Sequence, residues 1–359
     1  MFVGMKFSNQ GLELLDQRKL PHNEVWHLLE DLESVAHAIE QMMVRGAPAI
    51  AAAALFGLVL DVRNFCNSHE NATWSQFKER CFWAIERLCK TRPTAVNLFH
   101  VMEDIKGILL HQGNSVSIFT VKQLITQRAN DYFKSDLTRN QKIGQLGAQC
   151  LLEFVQKRQT STVEGIGILT HCNTGSLATG GYGTALGAVR SLHSQNQLKM
   201  LYVNETRPWL QGSRLTAFEM EKEKIPFKLL ADSAAAFAMR KGFIDAVIVG
   251  ADRIAANGDT ANKIGTYQLA LAAAHHSIGF FIAASFDTID FSLSSGDGVT
   301  VEERQADELR CIGELEISPR GVPVWNPSFD VTPHELITGI ITEKGVATAP
   351  FIHTLSKMR

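Results

Sequence analysis

The sequence predicts an α/β protein in which a mainly helical N-terminal domain precedes a parallel-sheet domain. Residues before about 140 carry apolar side chains at helical spacing. Residues after 160 alternate short, nearly continuous apolar runs with helical segments, which is typical of a parallel sheet covered on both faces. A length of 359 residues also exceeds one ordinary core. We therefore place the two domains at residues 1–140 and 141–359.

The N-terminal domain is predicted to begin with a small antiparallel sheet. Residues 5–17 form a predicted strand pair with Gly11 near its turn. A helix over residues 32–43 follows, with Asp31 or Ser34 available as its N-cap. Further helices are predicted over residues 47–60, 74–89, 95–110 and 120–133, and another begins near Thr138.

The C-terminal domain is predicted as alternating strands and helices. Five apolar runs indicate buried strands, at residues 165–170, 199–203, 227–230, 246–249 and 280–284. Helical patterns connect them, at residues 184–192, 213–223, 233–241 and 262–275. A last helix is predicted from Pro333, with Thr332 as its cap and Gly345 at its end.

Charge and composition restrict the class of partner. The 35 basic side chains nearly balance the 37 acidic ones, so no strong field favours nucleic acid or an anionic membrane. The longest apolar run, residues 47–60, is shorter than the roughly 20 residues that span a bilayer. Six cysteines without a C-x-x-C pair favour reduced thiols and no zinc site. We expect a cytoplasmic protein without a nucleic-acid or membrane partner.

Polar and reactive residues follow the predicted strands. The carboxyl ends of parallel strands meet at one edge of the sheet, where ligands bind. Four such strand ends carry Thr170-His171-Cys172, Asn204-Glu205-Thr206-Arg207, Ala231-Asp232 and Gly250-Ala251-Asp252-Arg253. A thiol and a carboxyl group, from Cys172 and Asp252, are therefore expected to share one crevice.

Each of these two residues has a structural and a chemical interpretation. Cys172 precedes a glycine-rich stretch and a helix, where backbone amides and the helix dipole favour a thiolate, although a single cysteine is often inert core. Asp252 follows a buried strand, where partial desolvation favours the protonated form that a general acid needs. The alternative for Asp252 is a salt bridge with Arg253.

The glycine-rich stretch does not predict a nicotinamide cofactor. Gly181, Gly183 and Gly187 give G-x-G-x-x-x-G, which is one residue longer than the dinucleotide fingerprint. These glycines either bring backbone amides close to a phosphate or let helix and sheet pack closely.

Three clusters are candidates for binding a phosphate. Arg45-Gly46-Ala47-Pro48 and Arg92-Pro93-Thr94 each open a predicted helix, and Asn262-Lys263 lies near the start of a third. The planar guanidinium of arginine matches a phosphate in a bidentate way, which favours the two arginine clusters. The alternative is a structural arginine at a helix end.

Taken together, these segments resemble the methylthioribose-1-phosphate isomerase family. The matching stretches keep the family's order over most of the chain. They are residues 43–50, 92–98, 170–190, 205–208, 211–216, 250–259, 262–267 and 326–333.

The resemblance implies an aldose–ketose isomerase of methionine salvage that acts on S-methyl-5-thioribose 1-phosphate without cofactor or metal. It also implies a Rossmann-like C-terminal domain and a homodimer. Catalytic roles carry over to Cys172 and Asp252. Substrate-binding roles carry over to Arg45, Gly46, Ala47, Arg92, Gln211, Asn262 and Lys263.

The mechanism and the substrate keep alternatives at this stage. We expect Asp252 to protonate the ring oxygen, after which hydrogen leaves C2 either as a proton, with Cys172 as base or relay, or as a hydride. Residues 285–290 depart from the family's proline-threonine-serine run, which leaves 5-deoxyribose 1-phosphate as an alternative substrate. Ribose 1,5-bisphosphate needs a second phosphate site, for which the sequence offers no further basic cluster.

A rival of another class is a regulatory subunit of translation initiation factor two B. Those subunits resemble this chain in fold but act by binding partners. The presence of both Cys172 and Asp252 favours the enzyme.

Overall fold

The computed structural model describes residues 2–92, 95–111, 116–158 and 165–359. Backbone contacts divide the chain into two compact units. The first unit comprises Met1–Thr138 and Ser176–Gly181, and the second comprises Arg139–Gly175 and Tyr182–Arg359. The chain thus first passes from one unit to the other at Thr138, close to the predicted boundary.

The first unit combines a small antiparallel sheet with helices, as the sequence predicted. The sheet has the order β1-β2-β3 and consists of β1 (Met5–Phe7), β2 (Leu12–Leu15) and β3 (Trp26–Leu29). The helices are α1 (Leu32–Glu40), α2 (Ala47–Ser68), α3 (Trp74–Cys89), α4 (Val96–His111) and the first half of α5 (Ile118–Arg158), which belongs to the second unit from Arg139 onward. Asp31 caps α1 by accepting a hydrogen bond from the backbone amide of Ser34, at 2.7 Å.

Helix α2 forms the core of the first unit. It begins after Gly46, whose φ of 89° is accessible to glycine, and Pro48 lies in its first turn. Its side chains pack against α1, α3 and α4, and Phe56 stacks on Phe7 at 4.3 Å between ring centroids. Among the described residues it is the one helix long and apolar enough to cross a bilayer, yet 78% of that window is buried. The prediction of a buried helix is confirmed.

The predicted break between two helices near Thr138 is wrong, because α5 is continuous over 41 residues. The hydroxyl of Ser135 donates to the carbonyl of Tyr132 at 3.0 Å, and that of Thr138 to the carbonyl of Lys134 at 3.2 Å. These hydroxyls are satisfied within the helix and do not cap a new one. Buried positions also recur at helical spacing across the region, at Ile125, Ala129, Tyr132, Asp136, Asn140 and Ile143.

The second unit has a large mixed sheet, mostly parallel. In chain order, the strands of the whole second unit are β4 (Ile166–Thr170), β5 (Leu198–Asn204), β6 (Phe227–Leu230), β7 (Ala246–Val249), β8 (Arg253–Ala255), β9 (Thr260–Lys263), β10 (Gly279–Ala283), β11 (Ile289–Asp290), β12 (Cys311–Ile312), β13 (Leu315–Glu316), β14 (Phe329–Thr332), β15 (Gly339–Thr342) and β16 (Gly345–Ala347). The seven-stranded sheet has the order β16-β15-β10-β7-β4-β5-β6, and only its pairing of β15 with β16 is antiparallel. All five predicted strands lie in it.

Helices cover both faces of this sheet. They include α6 (Ala185–Ser194), α7 (Ala217–Glu223), α8 (Ala235–Arg240), α9 (Thr266–His275) and α11 (Phe351–Lys357), whereas the short α10 (Asp307–Arg310) leads into β12. On β7, Val247 and Val249 pack in one apolar cluster with α8, α9 and α11, while Ala246 and Ile248 pack in another with α5 and α6. The predicted α/β class is confirmed. Because helices cover both faces of the sheet, polar groups lie at the edge where the parallel strands end.

Close helix packing explains one of the glycines that the sequence singled out. A Cβ at Gly144 of α5 would lie 2.7 Å from the carbonyl oxygen of Gly187 in α6. The two helices therefore approach closely at these glycines, so Gly187 allows packing between two helices and not the packing of helix on sheet that the sequence suggested.

The predicted start of a helix at Asn262 is wrong. Residues Thr260–Lys263 form β9, which pairs antiparallel with β8 and β14 in a second, four-stranded sheet. The chain turns at Gly265, with a φ of 100°, and α9 begins only at Thr266. Strand pairing with the distant β14 overrides the local helical pattern.

The helix predicted between Pro333 and Gly345 is also wrong. Only one turn of 3₁₀ helix forms, at His334–Leu336, where the His334 backbone amide donates to Asp259 at 2.9 Å. The following apolar residues belong to β15, in which Ile340 and Ile341 are fully buried and pair with β10.

Asp330 fixes the turn between β9 and α9. Its carboxylate accepts the backbone amides of Gly265, at 2.7 Å, and Tyr267, at 3.1 Å, while its backbone pairs with Asn262 across the two strands. Burial raises the pKa of Asp330 to about 6, against the opposing effect of these amide donors and of Lys263.

We predict that Asp330 makes stability depend on pH. The pKa of its carboxyl group is near 3.8 in the unfolded chain and about 6 in the folded chain. Between about pH 4 and 6 the folded chain therefore keeps a proton on Asp330 that the unfolded chain has lost. The resulting stabilisation is fully present below about pH 4 and is lost as the pH rises through about 6. Asp330→Asn lacks this titration. The free energy of unfolding of the wild type relative to that variant should therefore fall by about 3 kcal/mol between pH 4 and 7.

Urea unfolding of both proteins across this pH range measures the difference, and Asp297→Asn, at an exposed turn, provides a matched control. A difference between wild type and Asp330→Asn that stays constant with pH would contradict the prediction.

Candidate functional site

The ends of four neighbouring strands form one edge of the large sheet. Strands β7, β4, β5 and β6 are adjacent in that order and parallel. The hydroxyl of Thr170, at the end of β4, donates to the carbonyl of Ile248 in β7 at 2.8 Å. A Cβ at Gly250 would collide with the methyl group of Thr174. The loop that carries Cys172 is therefore in direct contact with the loop that leads to Asp252.

Cys172 is buried, with 6% of its surface exposed, and its backbone has a φ of 62°. The sequence predicts that a helix starting beyond Cys172 favours its thiolate. Helix α6 begins at Ala185, and the backbone amide of Thr184, just before it, donates to the carbonyl of Thr174 at 2.9 Å. The helix therefore starts beside the loop that carries Cys172, and its effect on the thiol stays a prediction.

His171 positions the loop rather than acting as a base for the thiol. Its Nε2 donates to the carbonyl of Ile264 at 2.8 Å, and its Nδ1 accepts from the amide of Asn204 at 3.3 Å. Burial lowers the pKa of His171, so the neutral imidazole predominates at neutral pH. Both ring nitrogens are engaged, and they join the end of β4 to the loop that follows Asn262 and Lys263.

A buried ionic network supports the residue after the cysteine. The amide of Asn173 donates to Glu219 at 2.8 Å. The guanidinium of Arg190 donates to Glu219 and to Glu223, each at 2.7 Å, and its side chain is 6% exposed. Removing Arg190 would take from the buried carboxylate of Glu219 its cationic partner, which is costly, so this network holds the loop in one conformation.

Gln211 carries a buried oxygen that a ligand can satisfy. The side chain is 5% exposed, and within the described parts of the chain its amide oxygen has no hydrogen-bond donor. The same is true of the amide oxygen of Asn204, which is 1% exposed. Leaving such an atom unsatisfied costs about 1–3 kcal/mol, and substrate hydroxyl groups are suitable donors.

Asn262 and Lys263 lie on β9. The amide of Asn262, 3% exposed, donates to the hydroxyl of Thr266 at 2.9 Å. The ammonium group of Lys263 lies 4.5 Å from the ring centroid of Phe329. Lys263 thus places a cation beside the turn that His171 contacts, where it can attract a phosphate.

Asp252 is held by its backbone, whose amide donates to the carbonyl of Ala261 in β9 at 2.9 Å. The alternative interpretation paired this carboxyl group with Arg253. The guanidinium of Arg253 instead lies 3.5 Å from the carboxylate of Asp290. Asp290 belongs to the segment that departs from the family pattern, and in the same segment Asp287 accepts a hydrogen bond from Arg139 at 2.7 Å. The two acidic residues of segment 285–290 are therefore each paired with an arginine.

The remaining predicted site residues belong to the first unit. Arg45 and Gly46 directly precede α2, and Ala47 is its first residue, so the predicted helix opening is confirmed. Arg92 follows α3, whereas Pro93 and Thr94 lie outside the described residues.

One group in the described part of the chain has the residue types of a metal site. Ligand atoms of Asp259, His334 and Glu335 lie within 4.8 Å of one another. Both oxygens of Asp259 already accept hydrogen bonds, from Asn257, from the Gly296 amide and from the amide and Nδ1 of His334. These bonds explain the cluster as a structural turn.

Comparison with known proteins identifies relatives over nearly the whole chain. The family model described as "Initiation factor 2 subunit family" matches residues 43–349. A methylthioribose-1-phosphate isomerase of Vitis vinifera is 47% identical over 351 residues, which cover 95% of this chain and 90% of that protein.

Two solved structures extend the similarity to the fold. The 5-methylthioribose 1-phosphate isomerase from Pyrococcus horikoshii OT3 matches with a TM-score of 0.89 and 43% identity, covering 100% of this chain and 96% of the other. A chain described as translation initiation factor eIF-2B, subunit delta, from A. fulgidus matches with a TM-score of 0.84 and 38% identity, covering 100% and 99%. On these grounds, the chain belongs to the initiation factor 2 subunit family.

Proposed function

We propose that the chain is an aldose–ketose isomerase that converts S-methyl-5-thioribose 1-phosphate to S-methyl-5-thioribulose 1-phosphate in methionine salvage. The observation that carries the proposal is the contact between the loops of Cys172 and Asp252 at one sheet edge. Relatives that bear the name of this isomerase are 42–48% identical over nearly full length.

The chemistry needs an acid and a group that handles hydrogen at C2. A sugar phosphorylated at C1 has no free aldehyde, so the ring must first open. In our proposal Asp252 donates a proton to the ring oxygen. Hydrogen then moves from C2 to C1, with Cys172 as base or relay if it moves as a proton. In either route C2 is oxidised and C1 is reduced by the same two electrons, so the reaction consumes no external oxidant.

Residues near this edge are suited to holding the substrate. Gln211 offers a buried acceptor for a sugar hydroxyl, and Lys263 offers a cation for the phosphate. Asn262 adds an amide beside Lys263. Four residues of the first unit stay predicted substrate contacts, namely Arg45, Gly46, Ala47 and Arg92.

The second candidate function is that of a non-catalytic subunit. The similarity to the eIF-2B subunit delta chain favours it. The enzyme is favoured because a thiol and a carboxyl group occupy adjoining loops, which a pure binding surface does not require. Turnover of the sugar phosphate by the purified chain distinguishes the two.

We predict that Cys172→Ala and Asp252→Asn each lower kcat by about 10²–10⁴-fold, which is the contribution that acid–base catalysis makes. Cys150→Ala is the matched control, since burial raises the pKa of that thiol to about 11 and makes it unreactive. Asp307→Asn, at an exposed position, is the control for the carboxyl group. Both controls should keep wild-type turnover.

Initial rates on the methylthio substrate and on 5-deoxyribose 1-phosphate provide the measurement and decide the preferred 5-substituent. Near-normal turnover by either catalytic variant would remove the assigned role, and no turnover by the wild type would favour the binding subunit.

We further propose a cytoplasmic homodimer. The six cysteines are free thiols, which suits a reducing compartment. Apolar side chains are exposed in the second unit, including Phe237 at 59% on α8 and Leu271 at 45% on α9. Exposed apolar patches commonly mark protein interfaces.

Light scattering coupled to gel filtration should give twice the chain mass of 39.6 kDa at micromolar concentration. A mass of one chain across that range would contradict the dimer.

A further inference from the structure

Two residues at adjacent strand ends have a backbone conformation that their side chains disfavour. Cys172 has a φ of 62° and Thr206 a φ of 65°. Left-handed backbone is strained outside glycine and is least favourable for β-branched residues such as threonine. Such a conformation persists only where surrounding groups impose it.

Two threonine hydroxyls impose it on Cys172. The backbone amide of Cys172 donates to the Thr206 hydroxyl at 2.8 Å, and the Thr216 hydroxyl donates to the Cys172 carbonyl at 2.6 Å. Both threonines are fully buried. The Thr206 hydroxyl in turn donates to the carbonyl of Asn204 at 3.1 Å, and that of Thr216 accepts from Asn173 at 3.2 Å. Each hydroxyl therefore bridges the cysteine backbone to a second group.

The turn that carries Thr206 is itself fixed by a carboxylate. Asp232, at the end of β6, accepts the backbone amides of Thr206 at 2.8 Å and of Arg207 at 2.7 Å. The ends of β6, β5 and β4 are thus linked in series to the backbone of Cys172. Thr216 reaches it from the other side, from the π-helical turn Gly212–Thr216.

We propose that Thr206 and Thr216 are positioning residues that hold the backbone of Cys172 and so fix the direction of its Cα–Cβ bond. Their effect on turnover rests on the proposed function, whereas their effect on the thiol does not. We call the two hydrogen bonds that Thr206 and Thr216 make with the Cys172 backbone the threonine clamp. Without this clamp, Cys172 relaxes toward ordinary backbone angles and its sulfur moves by about 1 Å or more. A displacement of that size in an active site costs about 10²-fold in rate.

The test uses the full chain with Thr206→Val and Thr216→Val, which keep the side-chain shape and remove the hydroxyl. We expect kcat to fall about 10²-fold with KM changed less than about threefold. Thr206→Ser and Thr216→Ser restore the hydroxyl and should return kcat to within about threefold of the wild type. Thr342→Val is the matched control, because that threonine is equally buried but donates to Gly345 in its own hairpin, at 3.3 Å.

The second readout is the alkylation rate of Cys172 by iodoacetamide, followed by mass spectrometry of the peptide that contains it. The thiol is nearly inaccessible in the clamped loop, so the valine variants should react about tenfold faster, and the serine variants and Thr342→Val at the wild-type rate. A general loss of thermal stability would not produce this pattern, because Thr342→Val also loses a buried hydroxyl and yet should react at the wild-type rate.

The proposal is overturned if both valine variants keep the wild-type alkylation rate, whatever their melting temperature. If the wild type shows no turnover but the valine variants react faster, the clamp stands and the isomerase function fails. If Thr206→Val does not fold, Thr216→Val alone decides by the same rates.

Discussion

The parallel pairing of β4 with β7 and β5 is the constraint on which the site depends. Parallel strands end at the same edge of a sheet, so residues that follow them are neighbours regardless of their separation along the chain. Here that edge receives the loop of Cys172 from β4 and the loop of Asp252 from β7, while β5 supplies Thr206. Both faces of the sheet are covered by helices, so polar groups at this edge are held in a largely buried setting.

Burial makes the arrangement rigid. A buried polar group without a partner is costly, and most groups at this edge are satisfied by one another. The imidazole of His171 uses both nitrogens, and Glu219 joins Asn173 to the guanidinium of Arg190. The left-handed backbone of Cys172 is compatible with this network because two hydroxyls hold it. Within the described residues, the buried amide oxygens of Gln211 and Asn204 have no hydrogen-bond donor and can accept one from a ligand.

Much of the fold could be predicted from the sequence because its signals are local. Each buried strand of the large sheet is a short apolar run, and α1 has a cap that accepts from the amide three residues later. The errors arise where distant contacts decide. Strand β9 exists because it pairs with β14, and residues 339–342 form a strand because β10 lies beside them. A new helix was predicted to begin near Thr138, but the hydroxyl of that residue is satisfied within α5.

The residues of the site likewise fall into those with a local sequence signal and those identified only by tertiary contacts. Cys172 and Asp252 could be singled out because each lies within three residues of the end of an apolar run. Thr206 lies in a strand end that the sequence singled out, although nothing local indicated its bond to Cys172. Thr216 and Glu219 lie on a helical segment, and their importance comes only from tertiary hydrogen bonds.

A double-mutant cycle on kcat tests most directly whether the thiol of Cys172 and the carboxyl group of Asp252 act together on one substrate. The account predicts that the variant carrying both Cys172→Ala and Asp252→Asn is about as slow as the slower single variant, because groups that act as a unit are not additive. Losses that multiply in the double variant would show two independent contributions and contradict it.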